Sequence, residues 1–207
     1  MSKTDGLALE ITPQVLLKAY ACGIFPMAES ADDPGLYWIE PERRGVLPLD
    51  GFHVPRRLAR TVRSDVFEVR VDTDFGGIIG GCAAPVPGRR KTWINERIRR
   101  LYGDLFDIGY CHTIETWRDG RLVGGLYGVG IGAFFAGESM FHHRTDASKA
   151  AVAGLAALMA GTPHALVDVQ WSTPHLASLG VIEIERADYL DRLRVAVGEP
   201  GPAALSG

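Results

Sequence analysis

The stretch HTIETWRDGRLVGGLYGVGIGAFFAGESMF, residues 112–141, decides the fold class. Two largely apolar runs, His112 to Trp117 and Leu122 to Val129, flank Asp119-Gly120. An Asp-Gly pair supplies the two positive-φ positions of a tight hairpin turn, so the runs read as adjacent antiparallel strands. Phe134 to Phe141 follows as a third strand. Beyond it the period changes. Asp146 stands as an N-cap before a helix from Ala147 to Ala160, closed by Gly161 and Pro163. Ala165 to Gln170 returns to strand, and Thr173-Pro174 opens a short helix that Gly180 ends. Val181 to Ile184 is again a strand, and Asp188 to Val197 a last helix with Leu190, Leu193 and Val197 on one stripe. Strands followed by strand, helix, strand, helix predict a mixed α/β fold.

Working back toward the N-terminus, Thr12 is an N-cap, Pro13 fits the first helical position, and Gly23 can close the end. Val15, Leu16, Ala19 and Tyr20 form its apolar stripe. Leu36 to Ile39 reads as a short strand. A helix starts at Pro55, with Leu58 and Val62 turned inward. Arg56, Arg60 and Arg63 fall at i, i+4 and i+7 and share its outer face. Val66 to Asp72 alternates as a strand, and Ile94, Ile98, Leu101 and Leu105 mark a helix that Gly109 ends. Glu199 to Gly207, rich in Gly, Pro and Ala, reads as a frayed tail. The expected division is a small N-terminal domain over residues 1–60 and a larger one over residues 61–207.

With 207 residues, 46% hydrophobic and 23% charged, the chain can bury a sizeable core and matches an ordinary soluble protein. Cys22, Cys82 and Cys111 form no CxxC or Cys/His cluster, so they read as reduced thiols in the cytoplasm. No basic segment followed by an apolar run marks a secretion signal. Leu122 to Gly137 carries no charge but is too short and glycine-rich for a membrane span. The net charge of −3 weighs against nucleic acid as a partner of the whole surface, yet the positive charge is unevenly placed.

Three constellations carry chemistry. In Val167-Asp168-Val169-Gln170, strand alternation puts Ala165, Val167 and Val169 on one face and Asp168 and Gln170 on the other, about 7 Å apart. They are either a satisfied polar pair at a strand end or a reactive pair. Glu138 is a carboxylate in an otherwise apolar strand. It needs a cation, either the ammonium group of a substrate or an internal arginine. Arg43, Arg44, Arg56, Arg57, Arg60, Arg63, Arg89, Arg90, Lys91, Arg97, Arg99 and Arg100 hold most of the positive charge, with Trp38 and Trp93 between them. Arginines beside stacking aromatics suit single-stranded RNA, while a solvated helix face is the alternative. The adjacent His142 and His143 point opposite ways in a strand and cannot chelate together, so no metal is expected. There is no GxSxG nucleophile elbow, and no helix follows Gly128-Val129-Gly130-Ile131-Gly132 to make a phosphate loop.

Several motifs in order resemble the bacterial leucyl/phenylalanyl-tRNA–protein transferases. They are Tyr20-Ala21-Cys22-Gly23-Ile24-Phe25-Pro26-Met27, Thr92-Trp93-Ile94, Gly124-Gly125-Leu126-Tyr127-Gly128-Val129, Gly137-Glu138-Ser139-Met140-Phe141, Ala147-Ser148-Lys149 and Ala177-Ser178-Leu179-Gly180. The spacing Asp168-x-Gln170 followed by His175 fits too. The likeness runs from about residue 12 to residue 190. It implies a GNAT-type acyltransferase domain behind a smaller N-terminal domain, working as a monomer without metal, CoA or other cofactor. It implies Leu-tRNA and Phe-tRNA as donors and proteins with N-terminal Arg or Lys as acceptors, whose products enter N-degron degradation. Residue by residue, it implies that Asp168 and Gln170 are the catalytic pair and that Trp38 and Trp93 sandwich the terminal adenosine. Phe135, Met140, Leu126, Val152 and Leu155 would line the amino-acid pocket, and Glu138 would meet the substrate amine. The basic residues Arg56, Arg60, Arg63, Arg89, Arg90 and Lys91 are expected along the RNA backbone. The chain departs from the family pattern at Tyr37, at Ile39-Glu40-Pro41-Glu42-Arg43 and at Trp171-Ser172-Thr173-Pro174. A CoA-dependent N-acetyltransferase on the same fold and a non-catalytic RNA-binding module are the rival readings.

Overall fold

The computed structural model describes residues 11–33, 35–52, 54–64, 66–85 and 92–205. Helix α1, Pro13–Ala21, begins where Thr12 accepts a hydrogen bond from the Val15 amide. Strands β1, Phe25–Met27, and β2, Tyr37–Ile39, pair as a small antiparallel ribbon that sets Pro26 opposite Trp38. Next come β3, Arg43–Leu47, and α2, Arg56–Arg63. Strand β4, Glu68–Val71, α3, Phe75–Ala83, and α4, Glu96–Asp107, complete the first half. The second half holds β5, Cys111–Arg118, β6, Arg121–Ile131, β7, Phe134–His142, and α5, Ala147–Met159. It ends with β8, Leu166–Gln170, α6, Pro174–Ala177, β9, Ile182–Glu185, and α7, Arg186–Ala196.

Seven described strands form one mixed sheet in the order β4-β5-β6-β7-β8-β3-β9. The expected hairpin supplies its second and third strands. Asp119 and Gly120 both take positive φ, 51° and 69°, as the turn requires. The β7–β8 pair is parallel, with α5 as the crossover, while the other strand pairs of this sheet are antiparallel. Parallel neighbours need such a crossover, which is why a helix of this length follows β7. The fold is mixed α/β, as the element order predicts. Apolar side chains on the two faces of the sheet form two clusters. One centres on Leu16, Tyr102, Tyr127 and Phe134, the other on Leu126, Phe135, Leu155 and Val167.

The structure corrects several local expectations. Val15 and Val62 are exposed, at 44% each, so the inward stripes narrow to Leu16 and Tyr20 in α1 and to Leu58 in α2. Helix α3 was not legible, because four of its nine residues are glycine, which disfavours helix by about 1 kcal/mol each. It forms because packing demands it. A Cβ at Gly81 would stand 2.5 Å from the Phe141 ring, so only glycine lets the helix lie this close to β7. Asp146 precedes α5 with φ 69° but makes no capping bond, and its carboxylate instead meets Arg57 at 3.3 Å. The C-terminal stretch is not frayed through residue 205. Ala203–Leu205 form a 3-10 turn, and Leu205 is buried in the second cluster. A composition poor in large apolar residues hid the one leucine that pins it.

Candidate active site

Strands β7 and β8 pair only over Phe134↔Leu166, Phe135↔Val167 and Ala136↔Asp168, although β7 runs on to His142. Side chains beyond that point line two cavities. The larger, about 330 Å³, is walled by Trp93, Glu138, Met140, Gln170, Trp171 and His175 among others. The smaller, about 80 Å³, is lined by Leu126, Met140, Val152, Leu155, Val169 and Leu176, with Glu138 and Gln170 in both. An apolar recess beside an opening with a few polar groups is the usual form of a small-molecule site.

Asp168 is fully buried. Its carboxylate accepts from Arg44 Nε at 2.9 and 3.1 Å and from Arg44 Nη2 at 2.6 Å. The Tyr189 hydroxyl donates to it at 2.9 Å, and the Gln170 backbone N–H at 2.8 Å. Arg44 is itself 2% exposed, lies between the Phe25 and Tyr189 rings, and gives its remaining Nη1 to the Gly23 carbonyl at 2.7 Å. Burial, and then the neighbouring Asp168 charge, hold the Tyr189 phenol well above its usual pKa, so it stays a donor. A buried ion pair needs this many hydrogen bonds to offset desolvation. The sequence left Arg44, with the other arginines, open between an RNA contact and a solvated face. It is neither, because its guanidinium is buried and paired with Asp168.

Gln170 breaks the expected alternation. Its φ is +59°, and Trp171 N–H donates to Val169 O at 2.7 Å, closing a three-residue turn around it. Asp168 and Gln170 are therefore linked through a backbone amide, not as two neighbours on one strand face. A non-glycine residue held at positive φ carries strain that the surrounding contacts must maintain. Here the Asp168 carboxylate and the β3 pairing at Gly45 do so. The Gln170 carboxamide lies 3.4 Å from Glu138 Oε1.

Glu138 accepts from the hydroxyls of Tyr20 at 2.6 Å and Tyr102 at 2.9 Å, and the two hydroxyl oxygens also lie against each other. No ion pair to Glu138 is present among the described residues. Burial pushes its pKa up to about 7, against the hydrogen bonds of the two tyrosines, which pull it down. Of the two partners considered for Glu138, the internal arginine is not used. Tyr20 and Tyr102 were missed as site residues, since their periodicity marks them only as core. His175 lines the larger cavity with its Nε2 buried and without a hydrogen-bond partner. Burial, then Lys149 and His142, lower its pKa.

Trp93 lines the larger cavity, while Trp38 is 43% exposed on the ribbon opposite Pro26, which also lines it. Phe135 is fully buried in the second apolar cluster, outside the lining of the small cavity. Arg56, Arg60 and Arg63 are exposed on α2. Arg89, Arg90 and Lys91 lie outside the described residues. Among the described residues, no three His, Cys, Asp or Glu side chains stand close enough to hold a metal ion, and no helix is long and apolar enough to cross a membrane.

Comparison with known proteins gives the family. Residues 46–194 match the family model for leucyl/phenylalanyl-tRNA protein transferase, and residues 10–42 match the model for the N-terminal domain of that family. The leucyl/phenylalanyl-tRNA–protein transferase of Rhodopseudomonas palustris strain HaA2 is 59% identical over 193 residues, 93% of this chain and 86% of the relative. That of Nitrobacter winogradskyi is 58% identical over 188 residues, covering 91% and 84%. That of Afipia carboxidovorans is 56% identical over 201 residues, covering 97% and 88%. With a family model spanning most of its length and such relatives along nearly all of it, this chain belongs to the leucyl/phenylalanyl-tRNA–protein transferase family.

Proposed function

We propose that the protein moves leucine or phenylalanine, and methionine less well, from aminoacyl-tRNA to the N-terminal Arg or Lys of acceptor proteins. In the cytoplasm this would mark them for N-degron degradation. The observation that carries the reading is the convergence of Glu138, Gln170 and the small apolar recess at one point where β7 and β8 part. The aminoacyl side chain fills the recess against Met140, Leu126, Val152 and Leu155. Its α-ammonium sits on Glu138, which forms no ion pair among the described residues. Trp93 stacks on the terminal adenosine, with Trp38 on the adjoining ribbon as the second stacking ring. Arg56, Arg60 and Arg63 meet the acceptor-stem backbone, together with Arg89, Arg90 and Lys91. We place the division between the two domains near residue 43, because β3 is hydrogen-bonded inside the main sheet and the two family models separate there.

The chemistry is aminolysis of an ester. The acceptor α-amine attacks the aminoacyl carbonyl carbon, the new C–N bond forms, and the C–O bond to the ribose breaks. The proton lost from the amine ends on the departing ribose oxygen. An ester is already activated, so positioning supplies most of the acceleration. Gln170 holds the amine near the carbonyl. A neutral carboxamide is a poor base, so Gln170 aligns and relays and does not abstract. Asp168 has no free lone pair directed at the cavity, because Arg44, Tyr189 and Gln170 N occupy it. It acts as a positioning residue.

Incubation with labelled leucyl-tRNA and a peptide beginning with Arg is expected to yield the leucylated peptide. Acetyl-CoA with the same peptide is expected to yield nothing. Acetylation without leucylation would replace this reading with a CoA-dependent acetyltransferase. Binding of tRNA with neither product would leave an RNA-binding module.

A further inference from the structure

Trp171 follows Gln170 directly. Trp171 is 42% exposed and lines the larger cavity. Its orientation is set from below by a perpendicular contact with Phe25, centroids 5.4 Å apart at 82°. Phe25 is in turn backed by the Arg44 guanidinium, 4.8 Å from its ring. The backbone of Trp171 passes across Gly45, where a Cβ would come within 2.8 Å of the Trp171 carbonyl carbon. Glycine at that position lets the segment lie against β3. Glu183 is the cross-strand partner of Gly45, and its carboxylate accepts the Ser172 amide at 3.2 Å. Glu185 stands two residues on. Glu183 and Glu185 share one cation, Arg43, whose Nε lies 3.6 Å from Glu183. An exposed aromatic side chain is therefore followed directly by an amide bonded to Glu183, a carboxylate that shares Arg43 with Glu185.

That combination attracts a cation and repels a phosphate. Ammonium and guanidinium groups bind over tryptophan faces, and a nearby carboxylate adds to the attraction. The three-residue turn around Gln170 fixes the distance between this shelf and the carboxamide that holds the reacting amine. We propose that Trp171, with Glu183 behind it, forms the shelf that recognises the cationic side chain of the acceptor's N-terminal Arg or Lys. The α-amine of that residue then reaches Gln170. The assignment rests on the acceptor reading given above. It makes Trp171 a specificity-determining residue of the acceptor side.

The test uses the full-length protein, leucyl-tRNA, and peptides identical but for an N-terminal Arg, Lys or citrulline, which is close to Arg in shape but neutral. The readout is the ratio of kcat/KM for the Arg peptide to that for the citrulline peptide. A loss of folded enzyme lowers both values alike and leaves this ratio unmoved. Trp171→Leu is expected to lower the ratio about 3- to 30-fold, the range of a cation–π contact. Trp171→Phe is expected to restore most of it. Glu183→Gln, an exposed change that leaves the ring in place, is expected to lower it about 3-fold. An unchanged ratio in Trp171→Leu and in Glu183→Gln overturns the shelf while leaving the transfer reaction standing. So does a wild type that uses citrulline as well as Arg. A wild type that leucylates none of the peptides overturns the acceptor reading, and the shelf with it.

Discussion

Two carboxylates stand close together where β7 and β8 separate, and the protein treats them in opposite ways. Asp168 has a guanidinium, a phenol and a backbone amide, and no access to solvent. Glu138 has two phenols and a distant carboxamide, no cation among the described residues, and an open side toward the cavity. Burying a carboxylate is costly unless a cation compensates it. At Asp168 the compensation is internal, so the result is a rigid support for the turn at Gln170. At Glu138 it is left unfinished, and a substrate ammonium can complete it.

The largest effect tests the finished side. Arg44→Leu leaves Asp168 buried without its cation, and should cost about 3–5 kcal/mol of stability. Urea unfolding reads this directly, and Arg44→Lys should recover only part, because the forked contact is lost. An Arg44→Leu protein as stable as wild type would show that Asp168 does not depend on that pair.

Next is the group that bridges the two sides. Gln170→Ala should lower single-turnover transfer on the order of 100-fold, comparable to loss of one oriented hydrogen-bonding group at a reaction centre. Affinity for aminoacyl-tRNA should fall much less than turnover, since Met140, Leu126, Val152 and Leu155 still line the recess. Turnover close to normal removes Gln170 from the reaction.

Glu138 gives a pH signature. Its folded pKa, about 7, lies above the unfolded carboxylate value, so the native state binds more protons between the two. Stability therefore falls as pH rises from about 4.5 to about 7, and the full cost persists above that. Glu138→Gln should stabilise the free protein at pH 8 relative to pH 5 by on the order of 2 kcal/mol, after allowance for solvent reaching the cavity. The same change should weaken a leucyl-adenosine analogue most at the higher pH, where wild-type Glu138 is charged. A stability difference that does not vary with pH would show that Glu138 is compensated after all.

The smallest effect contrasts arginine inside with arginine outside. Arg60→Glu on α2 should weaken tRNA by about 1 kcal/mol at low salt, flatten the salt dependence, and leave the small analogue unaffected. Trp93→Ala should weaken the analogue itself. Unchanged tRNA affinity for Arg60→Glu at low salt would leave α2 as a solvated face, and normal analogue binding by Trp93→Ala would move the adenosine site away from Trp93.

What the sequence determined by itself was local. The Asp119-Gly120 turn, the Thr12 and Thr173 caps and the apolar runs of β7 and β8 are set within a few residues, so composition and capping chemistry reveal them. The same spacing singled out Glu138, Asp168 and Gln170, because polar groups in apolar strands stand out. It could not say what completes them. Arg44 and Asp168 are 124 residues apart, and Tyr20 and Glu138 are 118 apart. Nothing local distinguishes Arg44 from the surface arginines, or Tyr20 and Tyr102 from ordinary core. Helix α3 and the buried Leu205 went unread for the same reason, since close packing, not intrinsic propensity, stabilises them. Only the tertiary structure decided which carboxylate received an internal cation, because that depends on which distant segments the sheet order brings beside β8.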